Sequence, residues 1–208
     1  MDREQLFAKK LIFLLNPLFL SVYAFAYYLI LFLLFSAIPN SLSLVMKSFT
    51  LYVLVSCLLP ILILFLLNGS SFEDFLKNSE ESNSSYIVVA STFFISYIYF
   101  SILNVSTWFE MGLLIPIYAV LVQMPLRRRM DSYLDIILLG AITFFVFILT
   151  IEFYYVLSIY PFLIAILLSG LLSYAYQIQG ILTSKTVVKN YLIGCLISVF
   201  IFLFVLIV

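Results

Sequence analysis

The chain has 208 residues, of which 65% are hydrophobic and 10% charged, with a mean hydropathy of +1.24. A soluble domain carries about 25% charged residues, so this balance excludes a water-soluble fold. Ten Lys and Arg cancel ten Asp and Glu, and no long basic run supplies the cationic face that nucleic acid requires.

Seven apolar stretches approach the ~20 residues that cross a ~30 Å hydrocarbon core: 11–38, 49–67, 85–104, 108–124, 133–151, 153–176 and 187–208. The first follows Lys9 and Lys10 and ends near Ser36 and Ala37, which outlines a signal peptide. Its apolar run exceeds the ~7–15 residues of a signal core, so it is expected to remain as an anchor. The fourth is the shortest and carries Glu110 near its start. Residues 136–176 are too long for one crossing, and a tight hairpin is expected at Glu152. The fold expected is all-α, a polytopic integral membrane helix bundle forming one membrane domain over 1–208. It has about seven spans, or six if two segments are re-entrant or fused.

Nine of the ten basic residues fall in alternate gaps between these stretches: Arg3, Lys9 and Lys10; Lys77; Arg127, Arg128 and Arg129; Lys185 and Lys189. Only Lys47 lies in an opposite gap. The positive-inside rule then places the N-terminus in the cytoplasm and the C-terminus in the periplasm of a bacterial inner membrane.

Within the spans, Pro17, Pro60, Pro116 and Pro161 are expected to interrupt helices, as packing kinks before substrate paths. Ala165, Ser169 and Ser173, with Gly170 alongside, form a narrow face suited to close helix contact. Asn16, Ser56, Ser96 and Thr143 are the polar residues at depth, compatible with interhelical hydrogen bonds. Cys57 and Cys195 read as small apolar residues and not as a disulfide or a metal pair. Tyr27, Tyr28, Tyr97, Tyr99, Trp108, Tyr154 and Tyr155 include residues near span ends, where they read as an interfacial belt. No span has a charge at mid-depth, which weakens ion-coupled transport. Histidine is absent, so the usual agent of acid/base catalysis near neutral pH is missing. No catalytic constellation, metal-ligand set or cofactor motif is found.

Three polar segments share the basic side of this topology: Asn78-Ser79-Glu80-Glu81-Ser82, the stretch 127–133 from Arg127 to Tyr133, and 175–184 from Ala175 to Ser184. In order and spacing they resemble the short polytopic, Bacteroidetes-like branch of the type 2 phosphatidic acid phosphatase family, over most of the chain from Asn16 onward. The resemblance rests on Asn78, Glu80, Glu81, Ala175, Gly180 and Thr183, and on Tyr191-Leu192-Ile193-Gly194. It implies a lipid-phosphatase helical core in which one histidine attacks phosphorus, a second protonates the leaving oxygen and cations hold the phosphoryl oxygens. This chain departs from the pattern at each of those positions. Ser79 and Ser82 replace two arginines, Tyr133 approximates the second-loop histidine, Tyr176 replaces the third-loop arginine and Leu182 the nucleophile.

Arg127, Arg128 and Arg129 could contact an anion or lipid headgroup, although three arginines beside a membrane also serve as a topology anchor. The expected function is therefore that of a catalytically inactive, phosphatase-like membrane protein, with membrane lipids or another membrane protein as partner and no nucleic acid. The alternatives are a small transporter or flippase-like permease working through a kinked-helix cavity, and a lipid phosphatase using other residues.

Overall fold

A computed structural model describes residues 3–15, 23, 26, 50, 53–59, 62–63, 83–102, 107–127, 129–153 and 159–207. All regular structure among the described residues is helical. In chain order the helices are α1 (Arg3–Leu14), α2 (Asn83–Ile102), α3 (Thr107–Arg127), α4 (Leu134–Phe153), α5 (Ile159–Ile178) and α6 (Ser184–Ile207), with a π-helical segment at Leu54–Leu58. Among the described residues, four segments are long and apolar enough to cross a bilayer: Glu110–Arg127, Leu134–Ile151, Ile159–Ile178 and Ser184–Phe204.

The chain divides into two units, Met1–Leu20 with Pro125–Val208, and Ser21–Met124. In the second unit, the π-helical segment packs against α2. Leu59 N–H donates to Leu54 O, the i to i−5 pairing of a π turn, just ahead of Pro60 in sequence. α3 stays helical through Pro116, so this proline does not end its helix, and at 21 residues α3 is longer than the expected 108–124. Glu110 lies in its first turn and Arg127 in its last, each of the sign that the helix dipole favours.

In the first unit α4 is the central helix: 72% of its crossing segment is buried, against 28% for α5 and 33% for α6. α6 and α5 pack against α4, and α1 lies against α5. α4 and α5 are antiparallel, because Tyr176 meets Asp135 at one end while the Phe147 and Phe162 rings meet at 5.2 Å farther along. α4 and α6 run parallel. Tyr133 pairs with Asn190 and Ala141 with Ser198, a constant separation of 57 positions.

The α4–α6 seam is built from small residues. A β-carbon at Gly194 would collide with Ile137 O and meet Ala141 N at 2.7 Å. One at Gly140 would collide with Tyr191 O. Close approach lets side chains on α6 reach main-chain acceptors on α4: Ser198 Oγ donates to Ala141 O at 2.6 Å, and Cys195 Sγ lies 3.6 Å from Gly140 O. On the outer face of α6, Val188, Leu192, Leu196, Phe200 and Phe204 recur at four-residue spacing and are all exposed, as lipid-facing residues would be.

α1 begins at Arg3, where Arg3–Lys10 combines good helix formers with Glu4 in the first turn. Several local expectations are corrected. The hairpin is not at Glu152, which lies within α4; that helix runs to Phe153 and α5 starts at Ile159. Pro161 is the third residue of α5, where the missing N–H has no intrahelical partner to lose. Ser96 and Thr143 do not bond across helices, since each hydroxyl donates to its own i−4 carbonyl, at 3.1 and 2.6 Å. Ser169 and Ser173 do the same, at 2.7 and 2.6 Å. Ala165 and Ser169 are buried, but Gly170 faces open space and is no part of a seam. Pro17, Asn16 and most of 11–38 and 49–67 lie outside the described residues.

Candidate functional site

Local chain signals bring three segments together at one end of the first unit. α5 ends in a Schellman closure: Gly180 adopts φ +67°, its N–H donates to Gln177 O at 3.0 Å, and Ile181 N–H donates to Tyr176 O at 3.0 Å. Glycine takes that left-handed conformation without a β-carbon penalty. Thr183 then caps α6, its Oγ1 accepting from Thr186 N–H at 3.4 Å. The linker 129–133 arrives from α3 and leads directly into α4.

Asn190, fully buried in the second turn of α6, ties these pieces together. Its Oδ1 accepts from Tyr133 N–H at 3.1 Å, and its Nδ2 donates to Asp131 O at 3.1 Å and Thr186 O at 2.9 Å. Beside it, the buried Tyr176 hydroxyl donates to Asp135 Oδ2, while Asp135 Oδ1 accepts from Ile136 N–H at 2.9 Å. The Tyr133 and Tyr176 rings meet edge to face at 5.3 Å. Asp135 is only 3% exposed, a costly placement for a carboxylate without such donors. An Asn190→Ala variant should lose about 1–3 kcal/mol by stranding the Tyr133 N–H and the Asp131 carbonyl. Thermal unfolding in detergent would show this as a lowered midpoint.

Of the residues singled out in the sequence, Tyr133 and Tyr176 are thus in direct contact. Leu182 is buried two residues past the Gly180 turn. Arg127 is half-buried as the last residue of α3, and Arg129 is exposed. Ser79, Ser82 and Arg128 lie outside the described residues. Sequence reasoning missed Asp135 and Asn190. Asp135 falls inside the expected span 133–151, and an acid in the first turn of a 20-residue apolar helix is the signal that marks it.

A cleft of about 210 Å³ opens between α1 and α5 at the same end, walled by Phe7, Ala8, Leu11, Tyr174, Ala175 and Ile178. Arg3 and Glu4 also line it. Gln179 Nε2 donates to Gln5 O at 2.7 Å and closes the helix pair beside it.

No family model matches this sequence, and neither characterised proteins nor solved structures yield a match. The chemistry must be read from the residues themselves. Among the described residues no group of three His, Cys, Asp or Glu could hold a metal. The cluster of Tyr133, Asp135, Tyr176 and Asn190 is a set of paired donors and acceptors that fastens the 129–133 linker and the ends of three helices to one another.

Proposed function

We propose that this chain is a non-catalytic integral membrane helix bundle that binds lipid, derived from the lipid-phosphatase core that its loops resemble. The full bundle has seven spans, with the N-terminus in the cytoplasm and the C-terminus in the periplasm of a bacterial inner membrane. The observation carrying the reading is the Tyr133–Tyr176 ring contact over Asp135. The two tyrosines stand at the second-loop histidine and third-loop arginine of the resemblance, and their contact at one end of the α4–α5 pair supports that reading. What they bring is a phenol–carboxylate pair in place of a histidine and a phosphate-binding cation.

Leu182, at the position of the nucleophile, has no atom able to attack phosphorus. Exposed basic residues gather at the same end. Arg3 is near the Gln5–Gln179 contact, Arg129 precedes α4, and Lys185 and Lys189 lie in the first turns of α6. Such a cluster draws the bundle to an anionic membrane surface.

The test is phosphate release by the purified protein in liposomes containing phosphatidic acid or undecaprenyl pyrophosphate. Release no faster than from empty liposomes is expected. Clear turnover that a substitution in 129–133 or 179–183 abolishes would establish a phosphatase working through other residues and end the non-catalytic reading.

A further inference from the structure

We infer that the α1–α5 cleft seats one phospholipid whose headgroup carries both a phosphate and a primary ammonium, with its acyl chain against the cleft wall. The inference deepens the lipid-binding reading and rests on it. The crossing segment of α5 ends at Ile178, which lines the cleft, so the cleft lies at the depth where lipid headgroups meet the hydrocarbon. Ala8 and Ala175, both 1% exposed, form its floor. Their small side chains are what leaves room between the two helices.

From the cleft an apolar track continues along α5. Leu163, Leu167, Leu171 and Tyr174 are exposed at spacings of four, four and three residues, which is one helix face leading to Ile178. An acyl chain lying along this face would follow it from the cleft toward mid-bilayer. A soluble metabolite needs no such track.

Charge at the cleft selects the headgroup. The two charged residues lining it are Arg3 and Glu4, one of each sign and both exposed. A guanidinium forms charge-assisted hydrogen bonds to phosphate oxygens, and a carboxylate accepts them from a primary ammonium. A purely anionic headgroup would satisfy Arg3 but face repulsion from Glu4. A trimethylammonium headgroup offers Glu4 no N–H donor.

The experiment is native mass spectrometry of the full-length protein in detergent, titrated separately with phosphatidylethanolamine, phosphatidylglycerol and phosphatidylcholine. Retention of one phosphatidylethanolamine is expected at about three- to fivefold over either competitor, the worth of an exposed charge pair. Glu4→Gln should move the preference to phosphatidylglycerol, and Arg3→Gln should weaken all three; both positions are exposed, so the fold is kept. Ala8→Phe, which fills the cleft, should abolish retention. Equal retention of the three lipids, unchanged by Arg3→Gln and Glu4→Gln, would overturn the assignment. So would dimerisation in place of lipid retention, lost on Ala8→Phe. These outcomes are separate from phosphate release, which alone decides whether the bundle is catalytic.

Discussion

Gly194→Ala is expected to be among the most damaging single substitutions in the chain, lowering stability by about 1–3 kcal/mol or more. The added methyl group would meet Ile137 O and Ala141 N, which are main-chain atoms of α4 that no rotamer change can move aside. α6 would have to shift away from α4, taking Ser198 Oγ from Ala141 O. Gly170→Ala is the control, because nothing lies within 4 Å of the new atom. There the gain in helix propensity should leave stability unchanged or raise it by up to ~1 kcal/mol. Unfolding midpoints of the two variants in one detergent check both statements. Equal midpoints would mean that α4 and α6 are not in close contact.

Tyr176→Phe carries the second large effect. It keeps the ring and its edge contact with Tyr133 but deletes the hydroxyl that donates to Asp135 Oδ2 inside the bundle. Weakening the hydrogen bonding of a buried carboxylate costs about 1–3 kcal/mol, the desolvation of a group no longer fully compensated. Asp135→Leu alone should cost at least as much, since it strands the phenol and removes the acceptor of the Ile136 N–H. The double variant should cost clearly less than the two singles together, because replacing both partners by apolar groups removes the unpaired polar atom. A double-mutant cycle on thermal unfolding measures this coupling. Strict additivity would mean that the pair does not interact.

The membrane class and α4 to α6 could be read from hydropathy because a crossing helix needs a long apolar run and little else. Their junctions could not. Between α4 and α5 the apolar run is unbroken except for Glu152, and a single carboxylate near a helix end does not stop a helix. Small residues cluster locally at Ala165, Ser169 and Ser173; two of those three positions are buried, but both serine hydroxyls turn back on their own helix. The glycines that make the closest approach, Gly140 and Gly194, sit on helices separated by a whole intervening crossing. No periodicity within one segment reports such a pairing. Tyr133 and Tyr176 could be named in advance only through the family resemblance. Asp135 and Asn190, which hold them, look in the sequence like ordinary flanking residues.

The parallel register of α4 and α6 bears on how the protein is made. Helices joined directly by a short loop meet head to tail, so a parallel pair cannot form until the helix between them has crossed back. During synthesis α4 therefore enters the bilayer with the main-chain surface around Gly140 uncovered, and it stays so until two further crossings have left the ribosome. Insertion of α5 and then the arrival of α6 must both succeed before the polar knot at Asn190 can close. Degradation of stalled or slowly inserted chains should accordingly concentrate in this interval.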